Sequence, residues 1–275
     1  MNFLNIFNEI EKADPEVYDR LDTRRAAMKN FAGFSGKIAL AAIPIAIGSM
    51  FKKAYAGTKG INDTAVEILN YALTLEYLEA EFYEKGNAMA PIPAGAPKMA
   101  IQTIGAHETA HVAFLKTAIT TAGGTPVPKP TFDFTAGGAF ANVFTDYATF
   151  LAVAQTFEDT GVRAYKGRAA ELVKGGDLLT AALNIHSVEA RHASHIRQMR
   201  KANGFGDVKP WITGKNSGIG PAVQASYDGE ENTKQATIEI VNINGAAISA
   251  NAASEAFDEG LTKDQVLAIV KPFIK

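Results

Sequence analysis

The stretch "GAHETAHVAF", residues 105–114, places Glu108 three residues before His111. It lies in a segment from Met99 to Ala122 whose apolar residues recur every three or four positions, which predicts an α-helix. Residues three apart lie on one helix face about a turn apart, so this carboxylate and this imidazole can bind the same ion. One Glu-x-x-His pair is a weak signal by itself, because chance or a surface ion pair explains most instances.

A second copy of this arrangement follows later in the chain. "SVEARHASH", residues 187–195, contains Glu189 and His192 at the same spacing, inside another helical pattern from Leu178 to Asn203. Two copies are harder to explain by chance than one. They predict that two helices each contribute one carboxylate and one imidazole to a common metal site.

Two further glutamates stand in front of these pairs at matching distances. Glu76 precedes Glu108 by 32 residues, and Glu158 precedes Glu189 by 31. Their surroundings, "TLEYLEAEFY" and "TFEDTGVRAY", share Thr, Glu and Tyr at the first, third and tenth positions. Each half therefore contains a helix with a Glu and a helix with Glu-x-x-His, and we expect two related helical hairpins.

The helices that carry the two leading glutamates are predicted from Asn62 to Gly86 and from Ala141 to Val173. A short Gly-Gly-Asp turn joins the third helix to the fourth, so these two should be antiparallel neighbours. The stretch "GGTPVPKPTFDFTAGG" between the second and third helices is long enough to run the length of a bundle. The predicted fold class is all-α, a four-helix bundle with a long crossover between helices 2 and 3, plus a C-terminal extension.

The charge of the four glutamates suits a pair of divalent cations. Four carboxylates and two divalent cations balance, so the buried site is neutral only when both ions are present. Without metal, converging buried carboxylates repel one another, and some must bind protons. Because the chain has no cysteine, any metal is held by oxygen and nitrogen ligands, which suits iron or manganese better than structural zinc.

The complete set resembles the dinuclear metal site of the ferritin-like superfamily: Glu76, Glu108, His111, Glu158, Glu189 and His192. More closely, "LEYLEAEFY", "FEDTGVRAY" and "SEAFDE" resemble the bacterial ferritin-like domain family that includes plant desiccation-related proteins, over roughly residues 60–271. The resemblance implies a ferritin-like bundle. It also implies that the Glu-x-x-His glutamates bridge two ions, that the leading glutamates are terminal ligands, and that each histidine binds one ion.

Other residues near this set are candidates for supporting roles. Tyr83 and Tyr165 lie seven residues after their glutamates on the same face, where they can donate hydrogen bonds, quench radicals or simply pack in the core. Asp159 is a candidate to orient a ligand, since metal-bound imidazoles usually donate their other N–H to an acceptor. Glu79, whose counterpart in the repeat is Gly161, is a candidate for a seventh ligand or for a route by which ions reach the site.

The chain has five histidines, and all of them fall in two short windows. Scattered core histidines would not be expected to cluster in this way. His107 and His195 have no counterpart in the repeat, and His186 lies one turn before Glu189. We expect these three beside the site or at the surface rather than as metal ligands.

Three functions are compatible with these features. The first is a dinuclear protein with two iron ions, or alternatively two manganese ions, that oxidises Fe(II) or consumes dioxygen or peroxide in stress protection. The second is peroxide disproportionation like that of manganese catalases, on the same ligands. The third is a non-catalytic structural or desiccation-stress protein, in which metal only stabilises the bundle or the site is vestigial.

Composition excludes some partners. The net charge of −2 and the isoelectric point near 6.2 give no electrostatic reason to expect a nucleic acid. The longest early apolar run, residues 38–50, has 13 residues, and a spanning helix needs about 20. We therefore expect no stable membrane span in the mature chain, and a homo-oligomer is compatible with the sequence.

Residues 1–56 differ from the rest and have the features of a signal segment. "TRRAAMK" with Arg24 and Arg25 resembles the twin-arginine export motif, and a short apolar run and Ala54-Tyr55-Ala56 follow. We expect export, to the periplasm, with a retained N-terminus in the cytoplasm as the alternative. The remaining domains are the bundle at 57–203 and, at 204–275, an extension packed on it with two short helices and a short strand or extended segment over 236–243.

Overall fold

The structure is a computed structural model that describes residues 62–89, 91–172 and 175–275. Four long helices lie in this part of the chain: α1 (Asn62–Ala88), α2 (Ala96–Thr121), α3 (Tyr147–Ala169) and α4 (Asp177–Ala202). α1 packs along α2 and α3 packs along α4, while α1 also contacts α3 and α2 contacts α4. This arrangement confirms the all-α four-helix bundle built from two helical hairpins with a long crossover between α2 and α3.

The signal-like segment predicted at residues 1–56 lies outside the described residues. Its export and cleavage, and the domain boundaries that depend on it, stay predictions. Within the described ranges, no helix combines the length and the apolar character needed to cross a membrane.

α1 continues two residues past Gly86, where the sequence predicted its end. Gly86 stands inside the helix because α1 packs against α3 at this point: a Cβ on Gly86 would lie 2.3 Å from Cε2 of Phe150. Phe150 also stacks on Phe82 of α1, with ring centroids 4.8 Å apart and planes 5° from parallel. The glycine therefore lets α1 and α3 approach closely instead of capping the helix.

α3 begins at Tyr147, six residues later than predicted from the pattern starting at Ala141. Asp146 is its N-cap, and the carboxylate accepts hydrogen bonds from the backbone N–H and the hydroxyl of Thr149, both at 2.7 Å. The apolar residues before it, such as the buried Val143, belong to turns of the crossover. Their periodicity reflects burial of a loop rather than a helix face.

The crossover between α2 and α3 is held down by aromatic side chains and by the last residues described. Phe132 and Phe134 are buried. Phe134 packs on Phe82 of α1, and their ring centroids are 5.6 Å apart. Phe132 forms an antiparallel bridge with Ile274, and the backbone N–H of Lys275 donates to the crossover at 2.9 Å. These contacts explain how so long a loop runs along the bundle in one defined path.

Residues after α4 form short elements: β1 (Lys234–Gln235), β2 (Ile238–Glu239), α5 (Ala250–Ser254) and α6 (Lys263–Val270). The strands are antiparallel, with Lys234 opposite Glu239. Both short helices were predicted. The extended segment predicted over 236–243 contributes only β2, because Ala236 and Thr237 have positive φ values of 48° and 73° and form the turn.

Buried arginines connect these elements to the bundle. Arg163 of α3 is 1% exposed, pairs with Glu230 at 2.7 Å and donates to the carbonyl oxygen of Ser226 at 2.6 Å. Arg197 of α4 is also 1% exposed; it binds both carboxylate oxygens of Asp159 in α3, at 3.0 and 2.5 Å, and donates to the carbonyl oxygen of Trp211 in the extension at 3.4 Å. The extension therefore packs through charged groups that are paired inside the protein.

We predict that Arg197→Met lowers the free energy of unfolding by about 3–5 kcal/mol, because it leaves the carboxylate of Asp159 buried without a countercharge. Arg191→Met is the matched control on α4, since Arg191 is exposed, and should change stability by less than about 0.5 kcal/mol. Urea unfolding followed by circular dichroism measures both. Equal stability of the two variants would show that the buried pair contributes little.

Candidate metal centre

Four glutamates meet at the centre of the bundle, one from each long helix. Glu76 of α1, Glu108 of α2, Glu158 of α3 and Glu189 of α4 are each 0% exposed. They lie on the apolar stripe of their helices, and burial of that stripe carries them inward. Carboxylates are almost never fully buried unless they are paired or bind a metal, so this convergence requires compensation.

One group of possible ligand atoms surrounds His111. Its Nδ1 lies 3.2 Å from Glu76 Oε2, 3.1 Å from Glu108 Oε2 and 3.2 Å from Glu189 Oε1. The ligand atoms of these four residues all lie within 4.8 Å of one another. Three carboxylate oxygens and one imidazole nitrogen from three helices therefore face a common point.

A second group surrounds His192 in the same way. Its Nδ1 lies 2.8 Å from Glu108 Oε1, 3.3 Å from Glu158 Oε2 and 3.9 Å from Glu189 Oε2. These four residues also have ligand atoms within 4.8 Å of one another. The second group therefore repeats the first with α3 in place of α1.

Glu108 and Glu189 belong to both groups. Glu108 directs Oε2 to His111 and Oε1 to His192. Glu189 directs Oε1 to His111 and Oε2 to His192. This is the position of a bridging carboxylate. The structure thus brings together all six residues that the sequence selected, while their binding of ions and their roles as bridging or terminal ligands stay predictions.

The two tyrosines hold the terminal carboxylates across the bundle. The hydroxyl of Tyr83 in α1 donates to Oε1 of Glu158 in α3 at 2.5 Å. In return, the hydroxyl of Tyr165 in α3 donates to Oε1 of Glu76 in α1. Each terminal glutamate therefore has one oxygen fixed by a tyrosine and its other oxygen directed to a histidine of the site.

Unpaired buried atoms test whether the residues fit metal ions. Ten buried side-chain atoms of the described residues have no hydrogen-bond partner, and five of them belong to the cluster: Glu108 Oε1, Glu158 Oε2, Glu189 Oε1, Glu189 Oε2 and His192 Nδ1. Buried polar atoms normally have partners. Every one of the five faces one of the two groups, so the donor set fits two cations bound by oxygen and nitrogen.

The electrostatics point the same way. Burial raises the pKa of Glu108 to about 7, and burial together with the neighbouring carboxylates raises the pKa of Glu189 well above its usual range. Burial alone would lower the pKa of His192, but the carboxylates of Glu158 and Glu108 outweigh it and raise the pKa to about 10. The metal-free site therefore retains protons in place of cations.

Glu79 lies at the edge of this cluster. It is buried, at 3% exposed, but it belongs to neither group of ligand atoms. A Cβ on Gly161 would lie 3.2 Å from Glu79 Oε1 and 3.4 Å from Glu189 Oε2. The glycine in the repeat thus leaves room for the extra carboxylate, and the role of Glu79 as a ligand or on an ion route stays a prediction.

The sequence selected Asp159 as a candidate to orient a ligand, and in the structure its hydrogen bonds go to residues outside the two groups. The carboxylate of Asp159 binds Arg197 and accepts a hydrogen bond from Tyr227 at 2.8 Å. The partner of His192 is instead His107, whose Nδ1 lies 2.9 Å from His192 Nε2. Sequence reasoning missed this pairing because α2 and α4 meet only in the folded chain, although the clustering of histidines was a signal for it.

His186 and His195 lie outside the two groups of possible ligand atoms. His186 has its Nδ1 3.0 Å from the carbonyl oxygen of Val162, and burial lowers its pKa. His195 is exposed on α4.

The fold and the cluster together define a class of protein, the four-helix bundle with a buried carboxylate–histidine site suited to two metal ions. A sequence profile described as the ferritin-like domain matches residues 64–202, just over half of the chain. The chain belongs to the ferritin-like domain family. None of the curated proteins compared with it matches the chain.

We predict that the metal-free protein loses stability as the pH rises from about 5.5 to about 7.5. A group whose pKa is raised on folding stabilises the protein fully below its unfolded pKa and loses that contribution as the pH rises through the folded value, about 7 for Glu108. The raised pKa values of Glu189 and His192 act with the same sign. Each unit by which folding raises a pKa corresponds to about 1.4 kcal/mol of the free energy of unfolding.

Urea unfolding of chelator-treated protein at both pH values measures the effect. In Glu108→Gln the loss should be smaller, because the substituted amide does not titrate. Glu84→Gln, which changes an exposed glutamate of α1, should behave like the unmodified protein. A pH dependence identical in all three proteins would exclude Glu108 as its source.

Proposed function

We propose that this chain holds two divalent cations, iron or alternatively manganese, and uses them to oxidise Fe(II) or to consume dioxygen or peroxide. The observation that supports the proposal is the double role of Glu108 and Glu189. Each turns one oxygen toward the His111 group and the other toward the His192 group. Two shared carboxylates are what a pair of adjacent cations requires and what a single ion does not.

The donor set supports iron or manganese. Four carboxylates and two imidazoles supply only oxygen and nitrogen, and the chain has no cysteine. Such ligands suit redox-active iron and manganese, whereas structural zinc commonly uses thiolates. The four carboxylates also neutralise two divalent cations, so burial of the full set costs least when both are bound.

Two adjacent redox-active cations, when bound, supply two electrons to one oxidant. The chain's own residues determine where and how this happens. Tyr83 and Tyr165 keep their protons, because burial and the nearby carboxylates of Glu158 and Glu76 raise their pKa values well above the ordinary one. Their hydroxyls therefore continue to donate to the terminal carboxylates and leave one oxygen of each free for a cation.

Burial of the ligands excludes bulk water from the centre. The four glutamates are 0% exposed, and the side chains of His111 and His192 are 12% and 5% exposed. A dry site strengthens the electrostatic effect of each ligand and limits side reactions. This environment suits the reaction of a small oxidant, which needs little space, better than that of a large substrate.

A stabilising metal site without turnover is the second candidate. It is favoured by the same deep burial, since converging carboxylates destabilise the bundle until cations replace protons. Peroxide disproportionation on the same ligands is a variant of the redox proposal, and assay with peroxide separates it from Fe(II) oxidation.

We expect metal-free protein reconstituted without oxygen to bind about two Fe(II) or Mn(II) per chain, measured by elemental mass spectrometry after desalting. The double variant Glu108→Gln/Glu189→Gln should retain little metal, because both shared ligands lose their charge. Glu84→Gln should bind as the unmodified chain does. Equal metal content in the double variant would place the ions elsewhere and overturn the proposal.

Turnover decides between the redox and the structural candidates. A redox role predicts oxygen or peroxide consumption that depends on Fe(II) or Mn(II) and disappears in the double variant. A structural role predicts that metal raises the melting temperature without consumption of either oxidant. At a metal concentration of about a hundredfold over Kd, one bound ion raises the free energy of unfolding by about 2.7 kcal/mol.

A further inference from the structure

His192 lies between the carboxylate cluster and the surface. On its outer side, α2 and α4 border an open cleft of about 360 Å³ whose lining includes His107, Arg191 and His195. On its inner side, Nδ1 faces Glu108 and the other carboxylates. The ring thus separates the site from the cleft, and its orientation decides which nitrogen each side meets.

The contact between His192 and His107 has the geometry of a hydrogen bond along the ring planes. The distance from His192 Nε2 to His107 Nδ1 is 2.9 Å. The rings are within 15° of parallel, with centroids 5.2 Å apart. In near-coplanar rings the N–H of one points along the in-plane lone pair of the other, which is the favoured approach.

The position of the proton on each ring follows from the chemistry of metal binding. A nitrogen that binds a cation carries no proton, so His192 needs a free Nδ1. Its single proton is then on Nε2 and is donated to Nδ1 of His107. His107 in turn carries its proton on Nε2.

We propose that His107 is a positioning residue for His192. By accepting the hydrogen bond from Nε2, it holds His192 in the tautomer and the orientation that direct Nδ1 to the carboxylates. The acceptor for a metal-bound imidazole is usually a carboxylate, a carbonyl or a water, and here an imidazole takes that place. This inference rests on the metal binding proposed above.

The arrangement serves only one half of the site. The counterpart of His107 in the repeat is Val188, which has no acceptor in its side chain. Correspondingly, Nε2 of His111 has no hydrogen-bond partner among the described residues, whereas Nε2 of His192 has one. Loss of His107 should therefore weaken the cation bound with His192 and leave the one bound with His111 nearly unchanged.

Calorimetric titration of metal-free protein with Mn(II) tests the proposal. In His107→Leu we expect one of two binding events to weaken by about 10–100-fold. His107→Asn, whose side-chain oxygen lies where Nδ1 was, should recover most of the affinity. His195→Leu is the matched control, since it removes an exposed histidine of the same cleft, and should leave both events unchanged.

A second readout follows the proton itself. In ¹⁵N-labelled protein loaded with Zn(II) as a diamagnetic probe, His192 should show a slowly exchanging Nε2–H. That resonance should be lost in His107→Leu and present in His107→Asn. Urea unfolding measures the stability of each variant. Equal free energies of unfolding in the variants and the unmodified chain exclude a general structural effect.

The outcomes separate this inference from the proposed function. If the unmodified chain binds no Mn(II), the proposed metal site is wrong and the inference falls with it. If the unmodified chain binds two ions and His107→Leu binds them equally tightly, the metal site stands and the positioning role is overturned. Equal weakening of both binding events would also overturn it, because His107 contacts only one half.

Discussion

The need to neutralise four buried carboxylates governs the rest of this structure. Four like charges within a few ångströms inside a low-dielectric core repel one another strongly unless cations or protons balance them. In the metal-free protein the pKa values of Glu108 and His192 are raised, so bound protons balance part of the negative charge. The bundle must be rigid enough to keep the carboxylates together against that repulsion, and its packing is arranged accordingly.

That rigidity comes from contacts placed next to the site residues in the sequence. Phe82 precedes Tyr83 and packs on Phe157, which precedes Glu158, with ring centroids 5.1 Å apart. Asp159 follows Glu158 and binds Arg197 of α4 through both oxygens. Because neighbours along a helix turn together, fixing these side chains also fixes the direction of the ligands.

The parts of the site that follow from helix periodicity could be predicted from the sequence. Spacings of three residues and a repeat of about 31 residues placed Glu108, His111, Glu189 and His192 on facing stripes, and the structure brings them together. Contacts between helices do not follow from periodicity. The partner of His192 and the packing of Phe150 on Gly86 depend on how two helices cross. A single sequence contains no direct record of that crossing.

The reciprocal hydrogen bonds of Tyr83 and Tyr165 make the two hairpins complementary to each other. Each hairpin supplies one terminal glutamate, one Glu-x-x-His pair and one tyrosine that reaches the glutamate of the other hairpin. Such self-complementarity is the property of a twofold-symmetric dimer interface. A hairpin of this kind therefore completes the whole site by pairing with a second, related hairpin. The two halves of this chain differ beside the site, where α2 has His107 and α4 has Val188.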